Sequence, residues 1–141
     1  MSASASVVPQ SISGSSAVNG TALDTKGYNT GVLRAYAVAA SGSPSAATIT
    51  VKLQECATSN GTFTDALDNT GTVIGFTLTT TSADGKNEAR VEGLGLNRKR
   101  YIRAVATPAF TSGTSPASVT FAEVVMGRSF QRPTDTTVSN T

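Results

Sequence analysis

Residues 48–54 read TITVKLQ, and this stretch decides the fold class because apolar and polar residues alternate along it without a break. A period of two is the pattern of a β-strand with one buried face. Ile49, Val51 and Leu53 would point to that face, and the residues between them to solvent. A shift of one residue would expose all three aliphatic side chains, so the register is well specified.

Further strands are predicted on both sides of this one, which makes about eight in total. They cover residues 16–23, 31–40, 62–67, 72–81, 87–94, 100–107 and 117–126. Tight-turn dipeptides separate several of them, at Asn19-Gly20, Asn60-Gly61 and Asp84-Gly85. Short strands with turns at this spacing predict an all-β domain, an antiparallel β-sandwich or jelly roll.

One of these strands is apolar on both faces. In residues 31–40, Val32, Tyr36 and Val38 share one face, while Leu33 and small alanines share the other. Such a strand is central in its sheet or is covered by a neighbouring chain. The strand at 117–126 also groups its large apolar residues on one side, namely Val119, Phe121 and Val125.

The composition fits a β domain with hydroxyl-rich wet faces. Ser and Thr make up 39 of the 141 residues, and only 14% of residues are charged. Disordered chains normally combine low hydrophobicity with high net charge, whereas the net charge here is +2. This small net charge also argues against a nucleic-acid partner, because binding to nucleic acid requires a concentrated basic face.

Both ends of the chain differ from the body. Residues 1–16 and 127–141 contain too few apolar residues to fold alone, so we predict an N-terminal arm, a β-domain at 17–126 and a C-terminal arm. Arms of this kind become ordered by docking on a partner or by adding a strand to an open sheet edge. The candidate contact residues are Val7, Val8 and Ile12 in the first arm, and Arg128, Phe130 and Arg132 in the second.

The residues needed for most catalytic chemistry are missing. The chain has no histidine, and Cys56 is its single cysteine, so we expect no enzyme, cofactor or metal site. Asp65 and Asp68 could form a carboxylate pair, but we interpret them as turn formers. The basic cluster at 97–100 is interpreted as a solvated loop leading into a strand.

No segment addresses the chain to a membrane. The N-terminus lacks the positive and apolar regions of a signal peptide, and no stretch approaches the roughly 20 apolar residues of a membrane span. We therefore expect synthesis in the cytoplasm, without a membrane partner. No small-molecule partner is expected either.

Several segments in succession resemble a known family. They are GTALDTKGY at 20–28, LQE at 53–55, NGTFTD at 60–65, KRYIR at 99–103 and a last strand that ends at Gly127. In this order and spacing, over about residues 17–127, they are similar to capsid cement (decoration) proteins of tailed bacteriophages, of the Bordetella phage type.

The resemblance implies a structural protein with a jelly-roll-like domain. Such a protein sits on the outside of an icosahedral head, often as a homodimer, and bridges subunits of the major capsid protein to stabilise the shell. It would therefore be located on the exterior of the virion. The family carries no catalytic residues that could be transferred to this chain.

Two alternatives of another class stay open. A carbohydrate-binding module can use the same β architecture, and Tyr28, Tyr36 and Tyr101 could stack on a sugar, although the chain has no Trp. An adhesin-like module of a phage tail or fibre is also compatible with two arms. A hydrolase is disfavoured because no histidine and no convincing acid pair are present.

Overall fold

A computed structural model describes residues 2–91, 93–94 and 98–127. Within these residues the chain forms β-strands and no helix, as the alternating sequence predicts. In chain order the strands are β1 (Ser2–Ser13), β2 (Val18–Asn19), β3 (Leu23–Asp24), β4 (Thr30–Ala37), β5 (Ala46–Cys56), β6 (Thr64–Asp65), β7 (Gly75–Thr79), β8 (Gly85–Val91), β9 (Tyr101–Thr111) and β10 (Ala117–Gly127).

The strands form two antiparallel sheets. The front sheet has the order β1-β10-β4-β8. In the back sheet β9 pairs with β2, β3 and β5, and β5 also pairs with β6 and β7. This arrangement confirms the predicted antiparallel β-sandwich, while the jelly-roll winding stays a prediction. All the predicted strands are present, although those expected at 16–23 and 62–67 are reduced to two residues each.

The core lies between the two sheets and consists of the inward residues of the long strands. Leu33 from the front sheet packs there with Ile49, Leu53 and Ile102 from the back sheet, and all four are fully buried. The apolar residues of the alternating stretch 48–54 therefore face the core, as predicted. Many of the other core residues are alanines, so the core is thin.

The N-terminal segment corrects the prediction of a separate arm. Residues 2–13 form β1, which pairs along the edge of β10, and Val7 and Ile12 are buried in the core. Two register shifts interrupt the pairing, one on each side of Val7. The segment is ordered by the unpaired edge of β10, which is distant in the sequence, and its own low apolar content could not reveal this.

Ser6 ties β1 to the back sheet. Its Oγ donates a hydrogen bond to the carbonyl of Thr21 (2.8 Å) and accepts one from the amide of Ala104 (2.9 Å). The carbonyl of Ser6 also accepts a bond from the amide of Thr21 (2.7 Å). A side chain at Gly20 would come within 2.7 Å of the Ser6 and Ala104 backbones, so only glycine fits this crossing.

The core contains hydroxyl groups at the end where β1 leaves the sheet. Ser118 lies opposite Ile12, and its Oγ is 3.2 Å from the Oγ1 of Thr80. Thr120 is also fully buried. This part of the interior is therefore less apolar than the part around Leu53.

Candidate functional site

The outer side of the front sheet is unusually apolar. In the first half of β10 the inward positions hold Ser118, Thr120 and Ala122, whereas the larger Val119 and Phe121 point away from the core; in the second half Val124 and Met126 are buried in the core. The sequence grouped Val119, Phe121 and Val125 on one side, and the structure places that side outside. We call the outward side chains of β4, β8 and β10, together with Val8 and Val38, the outer front face.

An aromatic pair lies at the centre of the outer front face. Phe121 is opposite Tyr36 in the β10–β4 ladder, and the two rings are stacked with centroids 6.1 Å apart and an angle of 26° between their planes. The Tyr36 hydroxyl donates a hydrogen bond to Asp84, which also accepts a bond from the amide of Ala39 (2.8 Å). The bond to Asp84 raises the pKa of Tyr36, and the same bond lowers the pKa of Asp84. The Tyr36 ring is thereby held in one position.

A row of charged side chains runs beside the aromatic pair. Arg34 on β4 lies opposite Glu123 on β10 and opposite Glu88 on β8. The Arg34 Nε is 2.5 Å from the Glu123 Oε1. Lys86 and Arg90 extend the charges along β8, where their side chains are exposed. The face therefore has a charged margin on the β8 side.

Exposed valines border the aromatic pair on the opposite side. Val119 is 48% exposed, and the adjoining Val38, whose amide bonds to the Val119 carbonyl, is 40% exposed. On β1, Val8 is 52% exposed and lies in the register shift between the pairs Val7–Ala122 and Gln10–Thr120. Single exposed valines are common, but a group around an aromatic pair indicates a contact surface.

A shallow cavity of about 500 Å³ opens on this face. Tyr36 and Phe121 contribute apolar surface to it, and charged or amide side chains from β4, β8 and β10 form the rest. The residues that line it are Arg34, Ala35, Tyr36, Lys86, Asn87, Glu88, Phe121 and Glu123. Another cavity, of about 800 Å³, lies at one end of the sandwich and is lined mainly by Ser, Gly and Ala.

The outer side of the back sheet is rich in hydroxyl groups along β5 and β7, and around β9 it also carries Tyr101 and Phe63, each beside an arginine. Its outward positions on β5 and β7 carry threonines, and the Thr50 and Thr77 hydroxyls are 3.4 Å apart. Lys52 on the same side forms an ion pair with Asp65 (2.8 Å). This is the hydroxyl-rich wet face that the composition predicts, and the two outer faces of the sandwich are therefore chemically distinct.

The six contact residues predicted from the sequence fall into three groups in the structure. Val7 and Ile12 pack in the core, which corrects their assignment as residues that face a partner, since their side chains are not accessible while β1 stays on the sheet. Val8 is exposed and belongs to the outer front face. The remaining three, Arg128, Phe130 and Arg132, lie outside the described residues, so their contacts stay a prediction.

Arg98 and Arg100 of the basic cluster bond to residues at the ends of other strands. The guanidinium of Arg98 contacts Glu55 (3.4 Å) and donates a bond to the carbonyl of Leu67 (2.9 Å). Arg100 binds both carboxylate oxygens of Asp24, at 2.9 and 2.8 Å. These contacts join the segment before β9 to β5, to the residues after β6 and to β3. The interpretation of the cluster as a solvated loop is therefore wrong for Arg98, whose side chain is only 7% exposed.

The Asp24–Arg100 pair allows a test by titration. The hydrogen bond from Arg100 and then the backbone bond from Lys26 lower the Asp24 pKa from 3.8 to about 2. The pair therefore stabilises the fold above pH 3.8, and this contribution is lost as the pH falls through 2. We expect Arg100→Gln to move the Asp24 pKa back towards 3.8, as measured by NMR of its carboxyl carbon. Lys26→Gln, which keeps the backbone bond, should change it much less.

The two carboxylates considered as an acid pair are both engaged. One oxygen of Asp68 accepts bonds from the amides of Thr70 (2.9 Å) and Thr72 (3.0 Å), which confirms its interpretation as a turn former. The same interpretation is wrong for Asp65, which lies in β6 and bonds to Lys52 and Gln54 on β5. These bonds lower the pKa of both carboxyls, whereas a general acid at neutral pH needs a raised pKa.

Within the described residues, neither a metal-binding cluster nor a membrane-spanning helix is present. No group of three or more His, Cys, Asp or Glu side chains is placed so that it could hold a metal ion. No helix there could cross a membrane.

No family model matches the chain. No curated protein matches it either. Function is therefore inferred from the residues of this chain, from the two unlike outer faces of its sandwich and from the resemblance described above.

Proposed function

We propose that this chain is a non-enzymatic capsid cement protein, with a jelly-roll winding, that binds the outer surface of a phage head. It bridges neighbouring subunits of the major capsid protein and thereby stabilises the shell. The observation that carries the proposal is the contrast between the outer front face, with its aromatic pair and exposed valines, and the hydroxyl-rich outer face of the back sheet. The apolar face is the one that docks.

The composition of the outer front face supports docking on a protein. Protein interfaces are enriched in aromatic residues at their centre and carry charged residues at their rim. Phe121 and Tyr36 occupy the centre here, and Lys86, Glu88 and Arg90 form the rim on β8. Aromatic residues at the centre of an interface commonly contribute most of its binding energy. The charged rim then orients the two partners.

Binding to a lattice suits a face of this modest size. An icosahedral shell offers the same site many times, and a protein that contacts two subunits at once binds more tightly than either contact alone would allow. In this proposal the threonine-rich outer face of the back sheet faces water on the virion exterior. The bridging unit is a homodimer, so that each copy holds one subunit of the shell.

The replacement of Phe121 by Asp tests this function. The variant should bind heads at least about tenfold more weakly, because a carboxylate would have to lose its water at the centre of the interface. Heads stripped of the protein are mixed with labelled chain and sedimented, and the bound fraction is measured against concentration. Circular dichroism of the free variant checks that it is folded.

Thr50→Asp is the matched control, because it adds the same charge to the outer face of the back sheet. It should bind like the unaltered protein. Equal binding by the Phe121 and Thr50 variants would show that the outer front face is not part of the interface with the head. Failure of the unaltered chain to sediment with heads would overturn the cement function itself.

A carbohydrate-binding module is the second candidate, and one observation favours it. Of the three tyrosines, Tyr36 lines the shallow cavity, beside Asn87 and several charged side chains that could bond to sugar hydroxyls. Saturable binding on a glycan array that Tyr36→Ala abolishes would favour this function. Labelled antibody on the tail or fibres of phage particles, and absent from the head, would favour an adhesin-like module.

A further inference from the structure

β1 is joined to the rest of the fold by a short, exposed hinge. Residues 14–17 are all exposed, and within the described residues no hydrogen bond joins them to either sheet. Gly14 has a positive φ of 74°, and a Cβ there would have no atom within 4 Å. Nothing in the packing therefore prevents this segment from straightening.

The pairing of β1 is irregular along its length. Its ladder with β10 shifts register between Ala5 and Val7 and again between Val7 and Gln10, and Pro9 within the second shift cannot donate a backbone hydrogen bond. Within residues 6–13 of this strand, Val7 and Ile12 are the buried apolar side chains. The strand is thus held mainly by its backbone ladder of nine registered pairs with β10, and by few buried apolar side chains.

The interior under the end of β1 is partly polar. Ser118 lies opposite Ile12, and Thr80 and Thr120 are buried near the same end of the core. Removal of β1 would expose these hydroxyls to water together with the space filled by Ile12. Water can hydrogen-bond to hydroxyls, so the opened state costs less than one that exposes aliphatic side chains alone.

We propose that β1 is exchanged between two copies of this chain, so that residues 2–13 of each copy complete the front sheet of the other. The exchanged strand makes the same contacts that it makes within one copy, including the three hydrogen bonds of Ser6 to Thr21 and Ala104. Exchange therefore alters only the hinge and the entropy of association. The inference concerns two copies of this chain and stands whether or not they bind a shell.

The hinge has a length that favours exchange. Four residues extend over roughly 14 Å, which is enough to carry β1 to an adjoining copy when straightened. Short hinges promote exchange because they turn back on themselves with difficulty. Copies held side by side on a surface would also have a high effective concentration, which shifts the equilibrium towards the exchanged form.

A pair of cysteines can distinguish exchange from closure within one copy. Ser11 on β1 and Val119 on β10 are directly opposed, and both are exposed. Opposed residues in antiparallel strands have Cα atoms about 4.5–5.5 Å apart, within the range of a disulfide. The variant carries Ser11→Cys and Val119→Cys, with Cys56→Ser to remove the native thiol. After mild oxidation we expect a covalent dimer on a non-reducing denaturing gel.

Thr50→Cys with Thr77→Cys in the same background is the matched control. These residues pair β5 with β7, which belong to one copy in either arrangement, so the control should run as a monomer. A purely intrachain disulfide in the Ser11–Val119 variant would overturn the proposal. Two free thiols after oxidation would overturn it too, since exchange requires these positions to meet.

Lengthening the hinge gives an independent readout. Extra Gly and Ser residues inserted after Gly14 would let β1 fold back on its own copy, so the covalent dimer of the Ser11–Val119 variant should decrease. An unchanged dimer fraction would show that the copies associate by another route, and the exchange would then be rejected.

Discussion

The replacement of Leu33 by Ala should lower the free energy of unfolding by about 2–5 kcal/mol, the range for a buried leucine truncated in a packed core. Leu33 is fully buried between the two sheets. The sandwich has a thin core, and many of its residues are alanines that cannot move into the space left behind. The cavity should therefore persist. Urea denaturation followed by circular dichroism measures the loss.

Val32→Ala is the control for this experiment, because it removes methyl groups from the adjoining residue on the same strand. Val32 points to the outer front face and is partly exposed, so its truncation should cost less than about 1 kcal/mol. Similar losses for both variants would mean that the two faces of β4 are assigned the wrong way round.

The replacement of Ser6 by Ala should cost about 1–3 kcal/mol, because the buried Ala104 amide loses its partner, whereas the carbonyl of the exposed Thr21 can bond to water. The Ala104 amide and the Thr21 carbonyl both bond to the Ser6 Oγ, which is buried. An unsatisfied buried group carries a desolvation penalty of about 1–3 kcal/mol. The loss is measured from the midpoint and slope of a urea transition.

Ser11→Ala is the matched control on the same strand. Ser11 is exposed and its hydroxyl makes no hydrogen bond within the described residues, so its loss should leave stability within about 0.5 kcal/mol. A small effect at Ser6 would indicate that water replaces its hydroxyl, and that β1 is held by its ladder with β10 together with Val7 and Ile12.

The body of the fold could be predicted from alternation, because each long strand has one face in the core. Residues 48–54 show this most clearly, with Ile49, Val51 and Leu53 buried as expected. β1 could not be predicted in the same way. It is mostly Ser and Ala, with Pro9 in the middle, and its order comes from the edge of β10, more than 100 residues away.

The candidate site was visible in the sequence only in part. The double apolar character of residues 31–40 indicated a covered face, and the structure places Tyr36 and Val38 on the outside. The grouping of Val119, Phe121 and Val125 was also visible. The sequence could not show whether these residues face the core or solvent, because alternation alone does not tell which face of a strand is the inward one. Burial of Ser118 and Thr120 decides it.

The sequence by itself determined the fold class, the positions of the central strands and the scarcity of catalytic side chains. These properties are local, since a period of two and the presence of a residue type can be read without knowing any partner strand. Only the tertiary structure decided that β1 completes the front sheet and that Phe121 and Tyr36 meet on its outer side. Both outcomes depend on pairing between residues far apart in the chain, and the energy of that pairing is absent from any short stretch of sequence.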